Sequence, residues 1–289
     1  MSHDLSSLAT IACLLEASAP KPGNVSPGRP FRDMCHADFV ASAVAAGPEL
    51  GRAAQRPLGE TILAAVRATG RWTGANTNLG IILLLAPLAR AAGQAGATLR
   101  DRVAAVLRAT TVADARAAYD AIRQARPAGM GTTESQDLAA EPTVTLLEAM
   151  RLAQKRDLIA REYATDFGLT FECGHPALHD ARAAGLGWED AIVETFLALL
   201  AREPDTLVAR KLGASAAEAI SHRASGVLRL GGVRTPEGRA ALAAFDGDLR
   251  DAQNSRNPGT TADLTAAAVF VTLVEDGWSP DRSRMDRAQ

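Results

Sequence analysis

Apolar residues recur along most of this chain at intervals of three and four. Leu5, Leu8, Ile11, Ala12 and Leu15 form one such stripe, which predicts an amphipathic helix over about 4–18. Phe39, Val40, Ala43 and Val44 open a second helix, and Leu58, Ile62, Ala65 and Val66 mark a third. From Asn78 to Ala92 nearly every residue is apolar, so that helix is expected to be buried on every side. The same period predicts helices near 98–108, 112–125, 142–162, 188–202, 214–224, 235–250 and 261–276. Alternation of the kind a half-buried strand shows never persists beyond about four residues, which leaves no βαβ unit. The expectation is a single all-α domain over 1–289 with a polar tail at 278–289. The Gly- and Pro-bearing stretches 126–142 and 226–238 read as loops within it.

Composition agrees with helix. Ala and Leu dominate, aromatic residues make up 4%, and 47% of the 289 residues are hydrophobic, enough for a well-buried core. A formal net charge of -2 gives no footprint for nucleic acid or an anionic membrane. The start, MSHDLSSLATIACLL, carries an Asp and no basic segment, so no signal peptide is expected. Runs such as IILLLAPLA are too short to cross a bilayer, and the expected location is the cytoplasm. Cys13, Cys35 and Cys173 are odd in number and widely spaced, which fits neither a disulfide framework nor a zinc ribbon. Cys35-His36, Cys173-Gly174-His175 and His179 are metal-ligand types. Pro176 stands between the two histidines, however, and a helix tolerates it only in its first turn. No Cys-x-x-Cys or His-Glu-x-x-His pattern supports a zinc site.

Four breaks between helices combine small or rigid backbone with polar groups that a plain turn does not need. They are EASAPKPGNVSPGRPFRDM at 16–34, TGANTNLG at 73–80, REPDTLVARKLG at 202–213 and NSRNPGTTADL at 254–264. In the first, proline blocks helix on both sides of itself and presents Lys21 and Asn24 from a stiff loop. The second and fourth lead into strongly apolar helices. Asn76 or Thr77 suits the cap of one, and Thr260 or Thr261, after Gly259, suits the other. A helix start inside a protein leaves N–H groups that either take an ordinary cap or face a phosphate. Asp263 falls in the first turn of the last helix, where the dipole favours an acid; the alternative is a ligand for Mg2+ or a sugar hydroxyl. Asp33, Asp137 and Asp205 each lie beside a loop and read equally as cap, solvated charge or functional acid. The basic residues Arg151, Lys155, Arg156 and Arg161 read as a solvated helix face.

The ordered set KPGNVSP, FRDM, NTNLG, PDTLVARKLG and NPGTTADL resembles the triphosphoribosyl-dephospho-CoA synthase family from about residue 10 to 275. The resemblance implies an all-α fold and a pentosyltransferase that joins the 5-triphosphoribosyl part of ATP to the 2′-hydroxyl of 3′-dephospho-CoA, releasing adenine. It implies Mg2+, with no organic prosthetic group, and small-molecule substrates rather than nucleic acid or membrane. It assigns Asp33, Asp205 and Asp263 as the working carboxylates, with Asp33 and Asp263 as Mg2+ ligands. Lys21, Asn24, Arg32, Asn76, Thr77, Asn78, Lys211, Asn257, Gly259, Thr260 and Thr261 are assigned to substrate and phosphate.

The chain departs from the family's usual pattern at several of these positions. Asn-Thr-His-Lys-Gly has become Asn76-Thr77-Asn78-Leu79-Gly80, and His-Lys-Asp-Met has become Phe31-Arg32-Asp33-Met34. The His-Arg pair is Arg210-Lys211, and Gly-Gly-Ser-Ala-Asp is Gly259-Thr260-Thr261-Ala262-Asp263. With cations changed, phosphoribosyl pyrophosphate becomes an alternative donor, and a hydroxyl acceptor in tetrahydromethanopterin biosynthesis an alternative acceptor. A hydrolase of N-ribosyl bonds and a non-catalytic nucleotide-binding helical protein are the rival classes. The large apolar helices would allow a homodimer.

Overall fold

The structure is a computed structural model that describes residues 4–127, 136 and 138–281. Asp137, most of the 126–142 stretch and the end of the polar tail lie outside the described residues. Among the described residues the chain forms fourteen α-helices and no strand, which is the expected all-α class. No helix among them is long and apolar enough to cross a membrane. The fold groups into two compact units, Met1–Leu14 with Ala37–Gly168 and Leu15–His36 with Leu169–Gln289.

Helix α1 (Leu5–Ser18) starts in the first unit and ends in the second. The first unit continues with α2 (His36–Gly51), α3 (Leu58–Thr69), α4 (Leu79–Ala92), α5 (Leu99–Arg108), α6 (Val112–Ala125), α7 (Leu146–Ala153) and α8 (Leu158–Ala164). Its centre is α4, buried almost all round as its unbroken apolar run predicts. Pro87 sits inside α4 and has no N–H to give to the carbonyl four residues earlier. That carbonyl, on Leu83, instead accepts from the phenol of buried Tyr163 at 2.6 Å. Burial pushes the Tyr163 phenol up from its ordinary pKa, so it remains a donor. Helices α3 and α6 are joined through Asp114, which completes a capping box with Thr111 and accepts the Gly59 N–H at 2.8 Å.

The second unit holds α9 (His175–Ala183), α10 (Trp188–Arg202), α11 (Thr206–Leu212), α12 (Ala214–Arg229), α13 (Pro236–Leu249) and α14 (Gly259–Glu275). Helix α14 is its core, buried from Thr260 to Leu273 apart from Asp263. A π-turn at Thr170–Gly174 leads straight into α9. Gly174 lets this turn touch α14, because a β-carbon there would lie 2.9 Å from that of Ala268.

Several elements differ from the periodicity-based expectation. The single helix expected over 142–162 is two, because Asp157 caps α8 by accepting from the N–H groups of Ile159 and Ala160. The break at 202–213 contains α11, capped in the same way by Asp205. Helix α12 runs on to Arg229, leaving only the short Gly232–Arg234 turn in most of the expected 226–238 loop. Helix α9 is absent from the expectation because its nine residues are too mixed in polarity to show a stripe.

Candidate active site

Three of the four polar breaks meet in the second unit, around the N-terminal end of α14. The KPGN loop turns at Gly23, whose φ of +72 belongs to the left-handed region that glycine enters freely. A β-carbon there would also lie 2.9 Å from Leu249. The Gly23 N–H donates to Asp246 Oδ1 at 2.8 Å, and the Asn24 carbonyl accepts from Arg250 at 2.8 Å. Asn257 donates through Nδ2 to the Gly23 carbonyl and to Asn24 Oδ1, both at 2.9 Å. Asn24 and Asn257, more than two hundred positions apart in the chain, are thus hydrogen-bonded partners in a buried knot. Gly259 follows because a β-carbon at that position would sit 2.7 Å from Leu207.

Asp205 is fully buried and uses all of its lone pairs. Its Oδ1 accepts from the N–H groups of Leu207 (2.8 Å) and Val208 (3.0 Å). Its Oδ2 accepts from the N–H (2.7 Å) and Oγ1 (2.8 Å) of Thr261. Burial pushes the carboxyl above its ordinary pKa, while these donors pull it back. Thr260 is buried and accepts from Thr206 Oγ1 at 3.3 Å. Lys211 donates to the Asn254 carbonyl at 3.0 Å. Its partial burial lowers the ammonium pKa, against the pull of Asp205, Asp251 and Asp33. Asp33 and Arg32 are exposed, and Asp263 is half-buried in the first turn of α14.

Lys21 is 1% exposed, although it belongs to a surface-type residue class. It pairs with Glu16 Oε1 at 2.9 Å and also donates to the carbonyls of Glu16 and Ala19. Three acceptors match the three protons of its ammonium group.

The fourth break, TGANTNLG, lies in the first unit. There it borders a cleft of about 290 Å³ lined by Arg67, Arg71, Asn76, Thr77 and Asn78 among others. Asn76 is exposed and its Oδ1 accepts the Leu79 N–H at 3.2 Å, but the N-cap position of α4 belongs to Asn78, which makes no side-chain cap bond. Thr77 Oγ1 lies 2.5 Å from Ser42 Oγ, and Asn78 donates to Thr69 Oγ1 at 3.2 Å. Leu79 is buried.

Sequence reasoning passed over four residues that organise these places. Asp246 ties Gly23, Arg29 and Arg250 together, and its only signal is an acid four residues before an arginine. Glu16, the partner of Lys21, gave no signal at all. Arg67 and Arg71 lie near a motif the sequence did mark, Arg67 in the last turn of α3 and Arg71 just after that helix ends.

Comparison with known proteins supplies the frame for this arrangement. The model of the CitG family, described as ATP:dephospho-CoA triphosphoribosyl transferase, matches residues 2–282. A "Probable 2-(5''-triphosphoribosyl)-3'-dephosphocoenzyme-A synthase" of Pseudomonas syringae pv. tomato is 34% identical over 122 residues, covering 42% of this chain and 41% of that protein. A "2-(5''-triphosphoribosyl)-3'-dephosphocoenzyme-A synthase" of Klebsiella pneumoniae is 34% identical over 99 residues, covering 34% of this chain and 35% of that one. The chain therefore spans well under half the length of these curated relatives in the matched regions. The crystal structure of a "putative triphosphoribosyl-dephospho-coA synthase" from Archaeoglobus fulgidus superposes with a TM-score of 0.65 at 32% identity. That superposition covers 83% of this chain and 100% of the other. The chain belongs to the ATP:dephospho-CoA triphosphoribosyl transferase family.

Proposed function

We propose that this protein transfers the 5-triphosphoribosyl group of ATP to the 2′-hydroxyl of 3′-dephospho-CoA and releases adenine, acting in the cytoplasm with the whole chain as one functional domain. The observation that carries this reading is the convergence of KPGN, PDTLVARKLG and NPGTTADL on the start of α14 in a chain matched by the family model over 2–282.

In this reaction the bond between C1′ of the ribose and the adenine nitrogen breaks, and a bond from C1′ to the acceptor oxygen forms. The proton of the acceptor hydroxyl leaves through a base and ends on adenine. Positive charge develops at C1′, so a carboxylate near the ribose stabilises the transition state, and positioning the two substrates contributes much of the rate. Asp33 and Asp263, which are not fully enclosed, are the carboxylates assigned to the reacting groups. Asp205 acts by positioning: its four hydrogen bonds fix the start of α14 and leave no lone pair for substrate. Lys21 and Glu16 hold the KPGN loop, while the buried Asn24, Asn257, Thr260 and Thr261, with Gly259, fix the backbone beside it. Arg32 and Lys211 offer the cations of this region to phosphate.

The family's ATP chemistry suits a divalent cation, and the oxygen donors of Asp33 and Asp263 are hard enough for Mg2+. When bound, Mg2+ would neutralise triphosphate charge.

The cleft in the first unit carries a second phosphate-binding proposal. Asn78 and Leu79, which replace a His-Lys pair in the family's usual motif, are buried and offer no cation. Arg67 and Arg71 line the same cleft and restore the charge. A donor that carries a 5-monophosphate and a 1-pyrophosphate, phosphoribosyl pyrophosphate, is the second reading, favoured because the cations stand at different positions here. The test is to incubate the protein with Mg2+ and each donor, with and without dephospho-CoA, and to follow adenine, pyrophosphate and product mass. Adenine release that requires dephospho-CoA, with a mass gain of one triphosphoribosyl unit, is the expected result. Consumption of phosphoribosyl pyrophosphate alone would replace it with the second reading, and inertness of both donors toward dephospho-CoA would end the proposal of transfer to that acceptor.

A further inference from the structure

Helix α9 begins with His175-Pro176, and the proline occupies the first turn, where its missing N–H costs nothing. The helix therefore continues through it, and His175 and His179, four residues apart, share one face. Their rings lie edge to face with centroids 6.2 Å apart. Asp276, the C-cap residue just after α14, lies against both. Its Oδ2 is 3.0 Å from His179 Nδ1 and 3.6 Å from His175 Nε2. One ligand-type atom from each of the three residues falls within 4.8 Å of the others.

We propose that His175, His179 and Asp276 bind a divalent transition metal of the Zn2+ class, which fastens α9 to the end of α14. Four features carry this. Zinc–nitrogen and zinc–oxygen bonds of about 2.0–2.2 Å in tetrahedral geometry place ligand atoms about 3.3–3.5 Å apart, close to the 3.0 and 3.6 Å that separate Asp276 Oδ2 from the two ring nitrogens. His175 Nε2 is buried without a hydrogen-bond partner among the described residues, an unmet cost that coordination through its lone pair removes. On the other side of the same ring, the Glu275 carboxylate stands near Nδ1, with Oε2 at 3.7 Å, an electrostatic contact longer than a hydrogen bond that favours the proton on Nδ1 and the lone pair on Nε2. Finally, the segment after Asp276 is pinned. Trp278 stacks on Trp188 at 5.5 Å, Trp188 Nε1 donates to the Ser279 carbonyl at 2.9 Å, and Arg182 holds Asp281 at 2.5 Å.

Two imidazoles and one carboxylate select Zn2+, Co2+, Ni2+ or Cu2+ over Mg2+, which prefers oxygen alone. His179 is 57% exposed, so solvent completes the fourth position and the ion has a way in. The site shares no residue with the proposed active site and stands or falls apart from it.

The test is a Co2+ titration of chelator-treated full-length protein followed by visible absorption, with Zn2+ competition and a thermal melt. One saturable equivalent, displaced by Zn2+ and indifferent to Mg2+, is expected, with a rise in Tm. His179→Ala and Asp276→Asn, both at partly exposed positions, should fold by circular dichroism and weaken binding by about tenfold or more. Cys35→Ser and Cys173→Ser should leave it unchanged. Absence of a saturable equivalent overturns the proposal. So does binding that survives His179→Ala, or that is lost in a cysteine variant.

Discussion

Asp205, at the start of α11, accepts hydrogen bonds from both the N–H and the Oγ1 of Thr261 in α14, at 2.7 and 2.8 Å. Its other oxygen caps α11, so one buried carboxylate ties two helix starts together. Asp205→Asn keeps one acceptor oxygen and turns an NH2 group toward two donors. At mildly acid pH this should cost about 1–3 kcal/mol of stability, measured by urea unfolding, because two buried donors lose their partner.

The pH dependence of that loss has a definite sign. Burial raises the Asp205 carboxyl above its unfolded value, so the folded state holds the proton more tightly. Its contribution is fully present below about pH 4 and declines as pH rises through the elevated folded value. The stability gap between wild type and Asp205→Asn should therefore shrink from pH 4 toward neutrality. A gap that widens would mean that the four donors outweigh burial.

Lys21 and Glu16 form a buried pair at 2.9 Å, 1% and 4% exposed. Lys21→Met leaves Glu16 as an uncompensated buried charge and should cost about 3–5 kcal/mol, while Lys21→Met with Glu16→Leu should recover most of it. Denaturant midpoints of the two variants decide this. A single variant as stable as wild type but inactive would instead place the Lys21 ammonium on substrate.

Tyr163→Phe removes the hydroxyl that meets the Leu83 carbonyl freed by Pro87. The expected loss is about 1–3 kcal/mol with no change of helix content. Ala at position 87 would restore the intrahelical N–H, so the tyrosine substitution should cost less in a Pro87→Ala background. Equal costs in both backgrounds would break this link.

Arg67 and Arg71 are exposed at the cleft of the first unit. Removing either should raise KM for the nucleotide donor by about tenfold, the scale of a charge-assisted hydrogen bond, and leave Tm unchanged. Unchanged KM in the double variant would remove the cleft from the phosphate-binding proposal.

The helical class and most helix positions were legible because α4 and α14 carry apolar residues through every turn and α3, α5 and α6 carry a clear stripe. The short helices were not. Helices α8 and α11 have seven residues each and owe their starts to Asp157 and Asp205, and a cap is invisible until the backbone around it is known. Among the site residues, the loops bearing Asn24, Asn257 and Thr261 stood out by their prolines, glycines and polar runs. Their mutual bonding did not, since nothing local marks partners more than two hundred residues apart.

The sequence by itself determined an all-α chain, the four polar breaks and the family pattern they carry, because these depend on residue type and spacing. Only the tertiary structure decided what each polar group faces. It turned Lys21 inward to Glu16, saturated Asp205 with four donors and brought His175, His179 and Asp276 together. The physical reason is desolvation. A charged side chain in a loop costs little in water and a great deal when buried, so its role is set by which partners the fold delivers to it.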